Sequence, residues 1–317
     1  MTKPNNPRQR PRTEFRVAPP LIQRVNATGF PGLDLLEDEV GNARLVFWQA
    51  FRDAELWSRA EDRSGLFRPT FFATRGREVE GLDPATYGTV KPQLTVLLDL
   101  LRSPNTVAAE SVCDACAAID SWFEGRGLLR CSVEFALAAS FAMPGRAGLA
   151  VRVARLLRML SEYPRSISWF DHGIYLARRS GDWKAYTEAL AGLGNLYFQL
   201  GNYPRARGYH KRCLRAASRK HLQDMVGAAY HNLFVLEMDA GNAELADTLA
   251  DRAFAAYGGT SPSIVRLARD LSHRWTVRGQ FARALPVALE TLNHFSGPVD
   301  RAQVWADIGR AAGGIGN

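Results

Sequence analysis

The C-terminal half of the sequence repeats with a period of about 40 residues. The segment "EYPRS" at 162–166 returns as "NYPRA" at 202–206, so its tyrosine recurs 40 residues later. A glycine-containing turn recurs at spacings of 40, 38 and 37 residues, at Gly201, Gly241, Gly279 and Gly316. A period of this size with two helices per unit predicts a solenoid, in which each unit packs only on its neighbours.

Helical segments follow one another after Pro92. We predict helices over 93–101, 106–124 and 128–143, followed by about nine segments of 14–18 residues, each ended by Gly, Asn, Pro or Ser. Runs of alternating β-branched residues are few, so the sequence predicts an all-α fold.

The region before Pro92 shows weaker patterns. Apolar residues between Leu45 and Trp57 approximate helical spacing and predict a helix within 41–60. Residues 61–90 contain Gly, Pro and Thr without a clear period, and we expect loops or short irregular elements there.

These patterns divide the chain into three parts. Residues 1–20 are expected to form a disordered basic tail, residues 21–92 a helical and irregular N-terminal cap segment, and residues 93–317 the repeat superhelix. Residues 301–315 have the pattern of a first helix, and Gly316-Asn317 that of the turn after it. We therefore expect the chain to be truncated mid-repeat, the alternative being a lone helix that another surface covers.

Composition excludes several classes of protein. The longest apolar candidate, Phe135–Met143, stops at Pro144, so no transmembrane helix is predicted. The basic N-terminus has no apolar region behind it and is not a secretory signal. Four cysteines are too few for a disulfide scaffold of this length. We therefore expect a cytoplasmic protein with reduced thiols.

The segment Thr187–Lys220 resembles the tetratricopeptide repeat (TPR) family. The family's characteristic positions are occupied here by Leu190, Leu193, Gly194, Tyr197, Gly201, Ala206, His210 and Cys213. His210 replaces the usual aromatic residue, and Cys213 replaces alanine. The resemblance is strongest over 187–220 and extends over 147–317. It implies a TPR-like α-α superhelix, in which small residues such as Gly194 let two helices cross closely and Gly201 closes the first helix in a left-handed conformation.

Positive charge is concentrated in the middle third of the chain. Residues 111–220 hold 17 bases and 8 acids, whereas residues 221–317 hold 8 bases and 10 acids. Seven bases lie on and after one predicted second helix: Arg205, Arg207, Lys211, Arg212, Arg215, Arg219 and Lys220. We interpret this cluster as a solvated convex face. A nucleic-acid footprint is the alternative, although no helix-turn-helix or stacking platform accompanies it.

Motifs of enzymes and metal sites are not found. The sequence lacks H-E-x-x-H, a Walker A loop and a G-x-S-x-G elbow. Cys113 and Cys116 form a lone C-x-x-C pair within a predicted helix, and we interpret them as small residues on a packed face, with a redox dithiol or a metal site as alternatives. We therefore predict a non-enzymatic protein without cofactor or metal.

The resemblance implies a binding groove lined by the first helix of each repeat. The family's groove positions correspond here to Arg152, Arg155, Arg158, Asn195, Gln199, His231, Asn232, Arg266, Arg269 and His273. Glu188, Phe198, Met238, Asp239, Asp270 and Arg310 extend this set. Their polar and cationic side chains suit a peptide or protein segment, including an acidic one.

One subset of these residues resembles a carboxylate clamp. Family members that bind a peptide's C-terminal carboxylate place asparagines where this chain has Asn195 and Asn232, and a base where it has Arg266. Ala191 and Asp270 stand where further bases are expected, and Asp270 would oppose an anion. The clamp is therefore one hypothesis beside a general peptide groove.

We predict a non-enzymatic protein–protein interaction scaffold that binds a peptide or protein segment in the concave groove. The alternative is a TPR-type sensor whose nucleic-acid-binding or effector module lies outside this chain, and a less favoured alternative is an enzyme hidden in residues 21–105. We expect no membrane partner and do not favour nucleic acid as a partner. A homo-oligomer remains open.

Overall fold

The computed structural model describes residues 38–68, 70–258, 262–295 and 298–316. Over these ranges the chain forms 15 α-helices, one short 3-10 helix and no strand, which confirms the predicted all-α superhelix. Two compact units are present, one up to Met143 and one from Pro144. None of the described helices is both long enough and apolar enough to span a bilayer.

The first unit packs six helices around an aromatic core. Its helices are α1 (Arg44–Arg59), α2 (Thr70–Glu80), α3 (Pro84–Tyr87), α4 (Lys91–Arg102), α5 (Ala109–Glu124) and α6 (Leu129–Ala142). Phe47 and Phe51 of α1 are fully buried, and their rings contact Phe123 of α5 and Phe135 of α6. The helices predicted within 41–60 and over 93–143 are therefore present.

Helix α2 corrects one expectation. The sequence predicts loops or short irregular elements over 61–90, but Thr70–Glu80 form three turns of helix. The buried side chains of α2 are those of Arg75 and Val79. Because one of the two is charged, the sequence shows no apolar repeat that would predict this helix. Arg75 is buried because it forms an ion pair with Asp53 of α1, a contact that composition alone does not reveal.

The predicted three-part division of the chain stays a prediction. Residues 1–37, which include the expected tail, lie outside the described residues. Helices α4, α5 and α6 pack on α1 and belong to the first unit, although the sequence pattern groups residues from 93 onward with the repeats.

The second unit is a series of helix pairs. Its helices are α7 (Ala147–Met159), α8 (Tyr163–Ser180), α9 (Trp183–Gln199), α10 (Tyr203–Arg219), α11 (Gln223–Asp239), α12 (Ala243–Tyr257), α13 (Ser263–Val277), α14 (Phe281–Leu292) and α15 (Pro298–Gly314). Helices α7, α9, α11, α13 and α15 are the first helices of successive pairs, and each contacts the next first helix directly. The even-numbered helices from α8 to α14 are the second helices.

Five consecutive turns of this unit share one backbone feature every 20 residues. A residue with positive φ follows each helix, namely Ser161, Gly181, Gly201, His221 and Gly241. The next N–H then donates to the carbonyl five residues back, as Asn202 does to Tyr197 at 2.8 Å. This is the Schellman closure of a helix end. The predicted left-handed conformation of Gly201 is confirmed. Because such a turn recurs every 20 residues, the 40-residue sequence period spans two of them.

Helix crossings in the second unit depend on small residues. A methyl group on Gly194 of α9 would lie 2.3 Å from the ring of His210 in α10, so only glycine fits this crossing. A methyl group on Gly192 would lie equally close to Phe170 of α8. His210 is 1 % exposed and occupies the aromatic position of the repeat.

Charged side chains join successive pairs. Arg207 of α10 donates two hydrogen bonds to the buried carboxylate of Glu237 in α11, at 2.5 and 2.9 Å. These bonds lower the pKa of Glu237 and hold it ionised. Arg274 of α13, itself buried, bonds the Ala243 carbonyl at 2.7 Å and forms an ion pair with Asp247 at 2.8 Å. The pairs α9–α10, α11–α12 and α13–α14 are therefore linked by polar as well as apolar contacts.

Candidate binding face on the first helices

The ten predicted binding residues lie on four successive first helices. We call the surface that carries them, together with its continuation on α15, the first-helix face. Helix α7 carries Arg152, Arg155 and Arg158; α9 carries Asn195 and Gln199; α11 carries His231 and Asn232; and α13 carries Arg266, Arg269 and His273. Each of these side chains is half-buried or exposed.

A polar network joins α11, α12 and α13. His231 Nε2 lies 2.9 Å from Asp270 Oδ2, and His231 Nδ1 lies 3.4 Å from the hydroxyl of Tyr257. Arg269 donates two bonds of 3.1 Å to the other oxygen of Asp270. Burial alone would raise the pKa of Asp270, but the bond from His231 and the charge of Arg269 outweigh it, and the pKa is lowered. Asp270 is therefore an ionised centre between two bases.

A second network of the same kind joins α13 and α15. His273 Nδ1 lies 2.9 Å from Asp307 Oδ1, and Arg310 donates to the same oxygen at 2.8 Å. Asp307 is 6 % exposed, whereas the side chain of His273 is 43 % exposed. Arg269 also reaches Gln303 of α15 at 3.4 Å, so the two networks adjoin.

The two carboxylates occupy equivalent positions in the repeat. Asp270 lies nine residues before the turn residue Gly279, and Asp307 lies nine residues before Gly316. Each accepts a bond from a histidine of the preceding first helix and from an arginine of its own helix. The clamp hypothesis treats Asp270 as an obstacle to anion binding, and Asp307 is missing from the predicted set. The sequence signal that could have identified Asp307 is an alignment of the helices on Gly279 and Gly316, which places Asp270 and Asp307 at the same position of the repeat.

The arginines of α7 form a separate cationic group. Arg152 and Arg158 are half-buried and Arg155 is exposed, and α7 contains no acidic residue. Burial lowers the pKa of Arg158, against the opposing effect of Tyr163. Helix α7 thus contributes three arginines and no carboxylate of its own to this end of the first-helix face.

The residues of the carboxylate-clamp hypothesis are not joined to one another. Asn195 and Asn232 are half-buried on the adjacent helices α9 and α11. Arg266 is exposed and donates to Ser263 Oγ at 3.2 Å, on its own helix. In the described part of the chain no hydrogen bond connects these three side chains, and the clamp stays a prediction.

The cysteines have the environment of packed core residues. Cys113, Cys116 and Cys131 are at most 1 % exposed in the first unit. Burial raises the pKa of Cys116, whereas a reactive dithiol requires a lowered one. Burial also raises the pKa of Cys213 to about 12, and its Sγ lies 3.3 Å from the carbonyl of Thr187. These thiols support the packing interpretation over the redox one.

Comparison with known proteins supports the repeat assignment. The family model "Tetratricopeptide repeat" matches residues 145–219, and the predicted resemblance is confirmed there. The crystal structure of a Rap protein complexed with Competence and Sporulation Factor is similar in fold, with a TM-score of 0.53, 10% identity, and coverage of 85% of this chain and 79% of that chain. This likeness concerns the fold alone.

A weaker likeness and one negative result complete the comparison. BtubC (BKLC) from P. vanneervenii is aligned over 76% of this chain and 91% of that chain, at 16% identity and a TM-score of 0.46. No curated protein matches the sequence. The class defined by fold and repeat is thus a TPR-like helical-repeat scaffold, and protein interaction is the role that such a scaffold supports.

Proposed function

We propose that this protein is a non-enzymatic scaffold that binds a peptide or protein segment along the first-helix face of its second unit. The observation that carries the proposal is that Asp270 and Asp307, at equivalent positions of two successive first helices, each bond a histidine of the preceding first helix and an arginine of their own helix. Side chains held by such bonds are fixed before a partner arrives, so less conformational entropy is lost on binding.

The chemistry of the face suggests how a segment lies on it. The α7 end is cationic and suits carboxylates of the partner. The α13–α15 end offers the partly exposed side chains of His273 and Arg310, whose N–H groups suit backbone carbonyls and polar side chains of a partner. We therefore propose that the partner is an extended segment whose acidic part lies against α7 and whose neutral polar part lies against α13.

Fold similarity is consistent with this role. The Rap protein of similar fold was crystallised with Competence and Sporulation Factor, and TPR-like folds typically bind rather than catalyse. We accordingly propose no reaction for this chain. The proposal that the protein acts on a protein partner rests on the same grounds.

Affinity purification of the tagged protein, with mass spectrometry of what it retains, tests the proposal. Arg152→Glu combined with Arg155→Glu should abolish recovery of the partner, since it reverses two charges at the cationic end. Arg68→Glu combined with Arg77→Glu, two exposed positions of the first unit, is the matched control and should leave recovery unchanged. Equal recovery with both double variants would place binding elsewhere.

A second pair of variants tests the networks. Asp270→Asn and Asp307→Asn keep the shape of each side chain but remove its charge, so the bonds from histidine and arginine weaken. We expect binding of the purified partner to fall at least about tenfold in each variant. Unchanged affinity in both variants would show that the networks serve only the fold.

A further inference from the structure

Two arginines from successive second helices meet at one tyrosine hydroxyl. Tyr186, in the first turn of α9, is 8 % exposed. Its hydroxyl oxygen accepts a hydrogen bond of 3.2 Å from Arg178 of α8, whose guanidinium lies 5.3 Å from the ring centre. Arg212 of α10 interacts with the same hydroxyl. Tyr186 therefore holds cationic side chains of two different helices close together.

The charges of these two arginines are not neutralised. No acidic residue lies between 172 and 181 or between 203 and 220. Asp182, which precedes α9, accepts a hydrogen bond from the Ala185 N–H at 3.0 Å and so caps its own helix. In the part of the chain that the structure describes, no carboxylate forms an ion pair with Arg178 or Arg212. Because a phenol is uncharged near neutral pH, two positive charges remain at this point.

The surroundings of the hydroxyl favour a negatively charged oxygen. Burial alone would raise the pKa of Tyr186, but the hydrogen bonds and charges of Arg178 and Arg212 outweigh it, and the pKa is lowered. A third cation lies nearby, because Lys220 Nζ is 4.2 Å from the ring centre of Trp183, and that ring contacts Tyr186 at 5.6 Å between centroids. Among the described residues, the hydroxyl hydrogen of Tyr186 meets no acceptor. Two guanidinium groups and one O–H donor are therefore available to an anion.

We propose that Arg178, Tyr186 and Arg212 form a binding site for the phosphate group of a small molecule. A phosphate monoester carries a charge of about −1.5 to −2 near neutral pH and has three free oxygens, which matches two cations and a hydroxyl donor. Guanidinium groups bind phosphate oxygens through pairs of N–H bonds. A carboxylate has one charge and two oxygens, so it would leave one arginine uncompensated.

The aromatic rings around the site favour a small phosphate over a nucleic acid. A single strand binds through bases stacked on open ring faces. Here Tyr197 and Tyr209 stack on each other at 5.4 Å between centroids, and Lys220 lies over the ring of Trp183. These rings therefore offer little surface to a base. The site is also separate from the proposed function, because its three residues are not among the ten predicted binding residues.

Isothermal titration calorimetry of the full chain with inorganic phosphate, at constant ionic strength, tests the site. We expect saturable binding with a dissociation constant on the order of 1 mM or lower, and binding of acetate at least about tenfold weaker. Glycerol 3-phosphate is the second probe, since it carries the same group as an ester. Tighter binding of the ester assigns the site to organic phosphates, and equal binding assigns it to inorganic phosphate. Both results support a phosphate site.

Single substitutions give a sharper test. Arg178→Gln and Arg212→Gln should each weaken phosphate binding at least about tenfold, since each removes a charge-assisted bond. Tyr186→Phe keeps the ring but removes the O–H donor, and should weaken binding about fivefold. Arg205→Gln is the matched control, because Arg205 is exposed on the helix of Arg212 but lies over the ring of Tyr197. It should bind phosphate like the unmodified chain, and circular dichroism checks that all variants fold.

Three results would contradict the proposal. The first is the absence of saturable binding of either phosphate up to about 50 mM. The second is an equal loss of binding in Arg205→Gln and Arg212→Gln, which would mean that the positive surface attracts anions without a defined site. The third is a single-stranded oligonucleotide that binds more tightly than both phosphates and is weakened equally by Arg205→Gln and Arg212→Gln. That result would assign the basic surface of α10 to nucleic acid instead.

Discussion

The two units of this protein stabilise packed helices by different means. In the first unit large rings fill the core: Phe47 and Phe123 lie 4.8 Å apart, and Phe123 and Phe135 lie 5.8 Å apart. In the second unit alanine and glycine allow close crossings, as at Ala206 and Gly194. Aromatic packing accommodates irregular helices, whereas close crossings require a small residue at each repeat of the crossing. This explains why the sequence period and the family match fall in the second unit.

The units also differ in their buried ionisable groups. Glu55 in the first unit is fully buried, and burial raises its pKa to about 9. In the second unit bonds from arginine lower the pKa of Glu237, and burial lowers the pKa of His210 to about 4. Folding of the first unit therefore favours the protonated carboxyl of Glu55, whereas folding of the second favours the ionised carboxylate of Glu237 and the neutral imidazole of His210. Their stabilities should change with pH in opposite directions.

The largest expected effect is at Glu55. Neither oxygen of its carboxyl accepts a hydrogen bond in the described structure, and Arg59 Nε lies 3.4 Å away. The pKa of Glu55 in the folded protein lies above the unfolded value of about 4.5. The contribution of Glu55 to the free energy of unfolding is therefore fully present below pH 4.5 and is lost as pH rises toward 9. Between pH 4.5 and pH 7 we expect the free energy of unfolding to fall by on the order of 3 kcal/mol. Glu55→Gln cannot ionise, so in this variant the free energy of unfolding should change much less with pH.

Hydrogen exchange measured by mass spectrometry resolves this change by helix. After correction for intrinsic exchange, the wild-type first unit should lose protection between pH 5 and 8, and Glu55→Gln should lose much less. An exposed control, Glu80→Gln, should follow the wild type. Identical pH dependence in the wild type and Glu55→Gln would mean that Glu55 is ionised in the folded protein.

The second unit should instead be sensitive to acid through His210. This residue is neutral when folded, so stability is lost as pH falls from about 6.5 toward 4. At pH 5 the loss should be on the order of 2 kcal/mol. His210→Phe keeps a ring against Gly194 and should reduce that loss, as followed by exchange in α9 and α10. His294→Gln, at an exposed position, should not reduce it.

A methyl group at Gly194 should break the closest crossing. Gly194→Ala places a carbon 2.3 Å from the ring of His210, and we expect a destabilisation of about 2 kcal/mol. Gly148→Ala is the matched control, because an added methyl group there meets nothing within 4 Å. Urea denaturation followed by circular dichroism measures both, and equal midpoints would show that the crossing adjusts without cost.

The smallest effect concerns the 20-residue turns. His221 has φ of 54° and Gly201 has φ of 68° at equivalent turns, although only glycine adopts this conformation without strain. His221→Gly should stabilise the protein by about 1 kcal/mol, and Gly201→Ala should destabilise it by a similar amount. If thermal unfolding midpoints shift in the same direction for both variants, the turns do not limit stability.

The sequence predicted much of the second unit because its physical requirements recur. Glycine at 201, 241 and 279 marks left-handed turns, and apolar spacing marks the helices between them. Helix α2 was not predicted because its buried side contains Arg75. The burial of Arg75 depends on the ion pair with Asp53 of α1, which no local sequence pattern indicates. The left-handed turns at Ser161 and His221 were not predicted, because these positions lack the glycine that identifies such a turn in the sequence.

The candidate site was predictable only in outline. Register within the family placed its residues on the first helices, where the structure also has them. Which side chains meet across helices depends on helix rotation and tilt, which no local pattern encodes. Asp270 and Asp307 therefore became recognisable as the centres of two networks only when α11, α13 and α15 were seen side by side.

Site-specific photo-crosslinking tests the central claim most directly, because it captures a partner whose identity is unknown. A photoreactive amino acid at Arg155 or Gln199 is exposed on the first-helix face, whereas at Arg179 or Leu245 it is exposed on second helices. We predict a covalent adduct with a heterologous protein from the first two positions and none from the last two. Adducts with such a protein from Arg179 or Leu245 alone would contradict the account.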